Sequence, residues 1–352
     1  MNLNEAKSSL DKIIDKARVH LYKPIQIAEI LYRDRVTNDI KIKDLETYRT
    51  SSRKWRDLIC IQFLGRTSTS SARYQDDLFN DNAVPPKALF ELAKENRKKN
   101  GIVEAYIYSK FKERFGQLSI GLDYCYKHNK ENFDLQEFIN IFWAEPGLRR
   151  SIDKVYEIVV YSLFSSLIDF MKLKIEIKVD ETKLKQLEEF KGFAEKIIGL
   201  SKGESKVILE GRINRLGVTN AADRGLDMWA NFGLAIQVKH LSLTEELAES
   251  IVGSVTADRI VIICKDSEEK IILSVLNQLG WKSRVQSIVT ESELLYWYDK
   301  ALRGENSHKI ADSLIRSLIS EIESEFPSTN SKDFDIFINS RNYDTLRDDF
   351  WQ

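Results

Sequence analysis

The 352 residues carry 53 Lys and Arg against 54 Asp and Glu, a net charge of −1. That balance excludes a globally basic nucleic-acid coat but leaves room for a local basic cleft. With 43% hydrophobic and 30% charged residues the composition is that of a soluble globular protein, not a disordered one, and the length suggests two domains. Three distant cysteines, Cys60, Cys125 and Cys264, argue against a disulfide framework or a zinc site and fit a reducing cytoplasm.

Residues 1 to about 150 read as helical, with polar loops between. Leu10, Ile13, Ile14 and Ala17 recur at helical spacing. Pro24 opens a second helix through Ile27, Ile30 and Leu31. Arg53 to Leu64 is a third, closed by Gly65. The polar loop Arg66 to Arg73 follows. Pro85-Pro86 start a helix that ends in the basic run Arg97-Lys98-Lys99, as the helix dipole favours. Ala105 to Phe115 and Leu135 to Trp143 complete this series. The N-terminal residues hold no apolar leader, and the longest apolar stretch, Val159 to Ile168, is too short to span a bilayer.

The pattern changes after Pro146-Gly147. A long apolar helix, Ile152 to Met171, leads into the strictly alternating Leu173 to Val179, a strand. A helix from Glu181 to Leu200 and a break at Ser201-Lys202-Gly203-Glu204 come next. Leu226 to Trp229 and Leu234 to Lys239 read as a hairpin turned by Asn231-Phe232-Gly233. Thr244 to Val252 is helical, Arg259 to Cys264 a buried strand, and Glu268 to Leu279 a helix. Arg284 to Val289 is a strand, Glu291 to Leu302 a helix, and Ser307 to Phe326 a last long helix. Strands alternating with helices make an α/β core. The expected divisions are a helical region over 1–150, an α/β core over 151–330, and a tail over 331–352.

The chemistry concentrates in the hairpin. Asp227 is followed, after nine residues, by Gln237-Val238-Lys239. Alternate residues of a strand share a face, so Gln237 and Lys239 point the same way, and the hairpin can bring Asp227 beside them. A carboxylate, an oxygen-bearing side chain and an ammonium at one point suit metal-assisted phosphodiester hydrolysis. Asp227 and Gln237 are the candidate Mg²⁺ ligands, and Lys239 would position or activate the water. The spacing resembles the PD-(D/E)xK nuclease core. It departs from it at Gln237, where an acid is usual; a neutral amide oxygen can hold a metal but adds no charge, which leaves the number of metals open.

Other residues compete for roles. Glu204 or Glu210 could add a ligand or position a water, and Val207-Ile208-Leu209 favours Glu210 by placing it nearer the core. His240 points away from Lys239 on a strand. Gly116 to Gly121 lacks the Lys-Ser/Thr of a phosphate-binding loop, so no nucleotide cofactor is implied. Candidate DNA contacts are Arg53, Lys54 and Arg56, then Arg66 and Arg73, then Arg212, Asn214 and Arg215: Arg and Lys suit phosphates, and Arg or Asn suit base edges.

A closer likeness lies in long runs rather than spacing. Gly211 to Ala248, with Val19 to Leu31 and Gly65 to Ala83, resembles the HaeII family of type II restriction endonucleases over most of the chain. The resemblance implies Mg²⁺-dependent cleavage of double-stranded DNA at a short palindrome within a restriction-modification system. Where the likeness to the type member is close, the implied site is RGCGCY. The fold expected is mixed α/β, a helical N-terminal region beside a PD-(D/E)xK-like mixed sheet flanked by helices. A palindrome is matched by two-fold protein symmetry, so a homodimer in the cytoplasm, without membrane partners, is expected. A non-catalytic DNA-binding regulator and a repair nuclease acting on branched DNA remain open alternatives.

Overall fold

Two kinds of hydrophobic spacing build two kinds of unit. The computed structural model describes residues 1–17, 21–65, 67, 79, 86–144, 152–201, 203–216, 226–239, 259–278, 285–326 and 331–351. One unit holds mainly Met1–Tyr156 and Leu318–Gln352, the other mainly Glu157–Gly217 and Ala222–Ser317. The chain thus leaves the first unit, builds the second, and returns.

The first unit is helical. Helix Leu3–Lys16 starts at a capping box: Asn2 accepts from the Glu5 main-chain N–H while Glu5 accepts from that of Asn2. It buries Ala6, Leu10, Ile13 and Ile14 on one face, each branched side chain contributing about 1.5–3 kcal/mol. Helix Tyr22–Tyr32 is buried over most of its length. Helix Ser51–Leu64 stops at Gly65, whose φ of +65° is the left-handed conformation expected of a glycine cap. Helices Pro86–Lys98, Ile102–Lys127 and Leu135–Ala144 follow. The third of these packs where Gly121 has no side chain, since a Cβ there would lie 2.4 Å from the Phe142 ring. The run Gly116 to Gly121 therefore continues a helix expected to stop at Phe115.

Residues 331–351, expected as a tail, pack into this helical unit. Phe334 and Phe337 of helix Ser331–Ser340 lie 5.3 and 5.1 Å, ring to ring, from Phe63. Arg341 pairs with buried Glu29 at 2.6 Å and stacks on Tyr32. The Tyr343 hydroxyl donates to Glu104, which also takes both guanidinium bonds of Arg35.

The second unit opens with helix Ile152–Met171. Strands β1 (Lys174–Lys178) and β2 (Lys206–Glu210) form an antiparallel pair of their own. Strands β3 (Ile213–Arg215), β4 (Met228–Ala230), β5 (Leu234–Lys239), β6 (Arg259–Cys264) and β7 (Val285–Thr290) form a five-stranded sheet in that order. β3 to β5 are antiparallel neighbours; β5, β6 and β7 are parallel. Helix Glu269–Gln278 links β6 to β7, as parallel strands require. β6 is buried from Ile260 to Cys264, the continuous apolar run of a strand covered on both faces. Helix Glu291–Arg303 begins at a Thr290–Glu293 capping box, and its Tyr298 hydroxyl donates to the Val159 carbonyl of the long helix.

Four elements differ from the sequence reading. The strand at 173–179 joins β2, not the main sheet, and β2 and β3 were unforeseen. The helix expected from Glu181 to Leu200 is broken: Leu184–Glu189 ends at Phe190, which leaves helical geometry (φ −102°, ψ 31°) before Lys191–Phe193. In that segment only Ala194 and Leu200 are buried, and a helix without a packed face is not held straight by tertiary contacts. The helix expected at Thr244 to Val252 lies outside the described residues.

Candidate active site

The site is built from the end of the β4–β5 hairpin. Gly233, at φ +83°, lets the chain turn, and its N–H donates to the Ala230 carbonyl. The register pairs Met228 with Ile236, so one step further Asp227 faces Gln237. The Gln237 amide Nε2 donates to Asp227 Oδ2 at 3.0 Å, and the Val238 main-chain N–H donates to the same oxygen at 2.8 Å. The carboxylate therefore continues the ladder beyond the last paired residue of β4. The Asp227 carbonyl accepts from the Leu216 N–H at 2.9 Å, which ties the acid's backbone to the strand on its other side. Gln237 is 2% exposed, so its amide is sheltered from bulk water.

Alternation separates the two faces of this sheet. Met228, Ala230, Ile236 and Ile213 are buried in the core. Asp227 and Trp229 alternate with them on β4, and Asn214 pairs with Trp229 across β3. Arg215 pairs with Met228. Arg212, just before β3, is exposed, with its guanidinium 3.5 Å from Glu210. The structure thus brings Asp227 and Gln237 together, with Asn214 and Arg215 on the neighbouring strand. Lys239 ends β5 in register with Cys264; its side chain lies outside the described residues, as do His240, Arg66 and Arg73.

The two glutamates stand elsewhere. Glu210 was expected nearer the core, yet its side chain is three-quarters exposed, at the end of β2 opposite Lys174. Ile208 and Leu209 are themselves exposed, so the apolar run does not mark an interior strand. Glu204 sits in an exposed turn and accepts from the Ser201 N–H.

Sequence reasoning missed Asn231. Its side chain accepts from the Arg212 N–H and donates to the Glu210 carbonyl, while its own N–H donates to the Arg212 carbonyl. This residue fastens the chain between β2 and β3 to the hairpin turn. The signal was an Asn in a turn, a residue whose short amide bonds readily to nearby backbone. Trp229, 41% exposed two positions from the acid, was also passed over.

In the helical unit Lys54 is exposed and Arg53 half-buried on helix Ser51–Leu64. Arg56, expected among the DNA contacts, is 1% exposed. Its guanidinium donates to Asp57 at 2.6 and 2.9 Å and to Gln26 at 3.2 Å, and Gln26 in turn donates to Ser52. The helical period turns every third or fourth residue inward, and Arg56 falls on that face.

Among the described residues no group of three or more His, Cys, Asp and Glu could hold a metal. The donors at the hairpin are a carboxylate, an amide oxygen and main-chain carbonyls. These are hard oxygen ligands, too few for a closed cage. Mg²⁺ takes one or two carboxylates and fills its shell with water and substrate phosphate, so this donor set fits it. Cys264 stands in register with Lys239; burial, then the nearby Glu269, pushes its thiol up to about 12, and a neutral thiol is a poor nucleophile.

The family described as HaeII restriction endonuclease matches residues 6–343. The chain is 60% identical over 347 residues to the type II restriction enzyme HaeII of Haemophilus aegyptius, covering 99% of each. It is 55% identical over 341 residues to the type II restriction enzyme NgoBI of Neisseria gonorrhoeae, covering 97% of each. No solved structure matches it.

Proposed function

The chain belongs to the HaeII restriction endonuclease family, and we propose how it carries out that family's reaction. It is a type II restriction endonuclease of a restriction-modification system, acting on double-stranded DNA at a short palindromic site. Asp227 and the amide oxygen of Gln237 hold Mg²⁺, and Lys239 holds the attacking water. The observation that supports this assignment is the Asp227–Gln237 hydrogen bond at 3.0 Å at the end of β5, two residues before Lys239.

Mg²⁺, when bound, supplies positive charge beside the scissile phosphate. In the structure Gln237 turns its amide nitrogen to the carboxylate. A half-turn of the same amide presents its oxygen instead, so the group adapts without moving the strand. The Val238 N–H keeps Asp227 in place through that change. Lys239 orients the water for in-line attack; the water oxygen bonds to phosphorus, the bond from phosphorus to the bridging oxygen breaks, and the water's proton passes to solvent as the leaving oxygen is protonated.

Arg212 and Asn214 contact DNA from the chain beside the acid, and Arg53, Lys54, Arg66 and Arg73 contact it from the helical region; Arg215, in register with buried Met228, falls on the opposite face of its strand. Arg56 stiffens its helix from inside. Two copies act on the two strands of the palindrome, for which RGCGCY is the sequence proposed, in the cytoplasm where the host DNA lies.

Plasmid digestion tests the reading. Wild type with Mg²⁺ gives discrete fragments whose ends spell the site. Asp227→Ala and Lys239→Ala bind the same DNA in a gel shift but leave it whole. Full cleavage by either variant removes the assignment.

A further inference from the structure

We propose that the arm from Lys172 to Glu210 is the surface through which two copies of this chain pair. The proposal rests on the two-copy reading above and gives it a location.

Among the described residues the arm is poorly covered by its own chain. In the β1–β2 register Ile175 faces Leu209 and Ile177 faces Val207, and Leu173 lies against Gly211. One face of this two-stranded sheet is therefore wholly apolar, while Lys174, Glu176 and Lys178 alternate onto the other. A pair of strands is marginal by itself and needs a third strand or a packed helix. Yet Leu173, Ile177 and Leu209 remain 37–41% exposed. The segment joining the strands adds Phe190, Phe193 and Ile197 at 61, 57 and 71% exposure.

Area and charge identify the occupant. Summed over the arm, the open parts of these six side chains come to on the order of 600 Å² of apolar surface, as much as a monomer's largest single patch exposes. With a charged rim they approach the roughly 800 Å² that one partner gives to a stable interface. Between Lys172 and Glu210 nine Lys face eight Asp and Glu, and there is no Arg. Lys178, Lys191 and Lys206 pair within the arm to Glu181, Glu195 and Glu176. A phosphate-binding surface would carry Arg and surplus positive charge. A nearly neutral surface with both signs interspersed around apolar side chains is instead compatible with itself, as an isologous two-fold contact requires.

Sedimentation velocity of the full chain over a range of concentrations tests this, with wild type, Ile197→Ser and the double variant Phe193→Glu/Ile197→Glu. Because these positions are exposed, the variants keep the wild-type circular dichroism and melting. Wild type sediments as a dimer, Ile197→Ser dissociates at higher concentration, and the double variant is a monomer with self-association weakened at least a hundredfold. On supercoiled plasmid the double variant accumulates nicked circles before linear product. A double variant that still dimerises with wild-type affinity overturns the proposal, as does a wild type that is monomeric with and without DNA. Unchanged dimerisation with a weakened gel shift assigns the arm to DNA instead. Wild type that dimerises through the arm but cuts no DNA would leave this proposal standing and defeat the nuclease assignment.

Discussion

Carboxylates in the two units have different surroundings, buried in one and half-buried in the other. In the helical unit Glu29 meets the Arg341 guanidinium and the Tyr108 hydroxyl, and Glu104 meets Arg35, Asn96 and Tyr343. Asp34 takes a two-pronged bond from Arg97. The cost is visible in the partners. Burial, and then the Glu29 charge, push the Tyr108 hydroxyl well above its ordinary range. Burial alone would lower Arg341, but its bond to Glu29 and the surrounding charges outweigh that and raise it. In the α/β unit Asp227 accepts from an amide and a main-chain N–H. Guanidinium partners offset the charge of a buried carboxylate, whereas donors from a neighbouring strand fix where a carboxylate stands. An acid serves structure or chemistry according to what surrounds it.

The largest test of this contrast is Asp227→Asn, which keeps the shape and removes the charge. Cleavage falls by about three orders of magnitude with gel-shift affinity retained, and a loss under tenfold in a timed digest would place Asp227 with the structural acids. Arg341→Ala approaches the same energy by the other route. Leaving Glu29 buried without its ion pair costs about 3–5 kcal/mol in urea unfolding, while folded protein keeps its cleavage rate per molecule. A loss below 1 kcal/mol would show that Tyr108 suffices.

Gln237→Glu sharpens the comparison at the site. A second carboxylate against Asp227 lowers the metal-free melting temperature, and Mg²⁺ then restores more than it does in wild type. About a tenfold fall in the Mg²⁺ concentration at half-saturation, near 1.4 kcal/mol, is expected from a thermal-shift titration; an unchanged titration would mean that residue 237 does not face the metal. The smallest effect belongs to Thr290→Ala, which removes the hydroxyl that accepts from the Glu293 N–H at the start of helix Glu291–Arg303 and costs about 1 kcal/mol, readable as a shift of the urea midpoint. No change there would mean that Glu293 alone secures the helix start.

What the sequence disclosed follows the reach of each interaction. The Asp227–Gln237 pairing could be read because a hairpin fixes who faces whom from the turn outward. The buried strand Arg259–Cys264 matched its apolar run at both ends. The helix stop at Gly65 needed only local chemistry. β2 escaped because Val207-Ile208-Leu209 shows no alternation, and a short apolar run is ambiguous without its partner. Arg56 looked like one of several solvated basic residues; its partner Gln26, on another helix, lies 30 positions away. The Arg341–Glu29 pair spans 312 positions, beyond any window of periodicity.

That last separation also has a meaning in time. The helical unit is interrupted by the whole α/β unit, so its ion pairs cannot all close in the order they are made. At roughly 5–20 residues per second of synthesis, the stretch from Tyr156 to Arg341 occupies on the order of ten to forty seconds. Through that interval Glu29 waits for Arg341, Glu104 for Tyr343, and Phe63 for Phe334 and Phe337. The α/β unit, continuous apart from its first and last helices, has its strands in hand before the helical unit that precedes it on the chain can finish. On this template the part translated first is the part completed last.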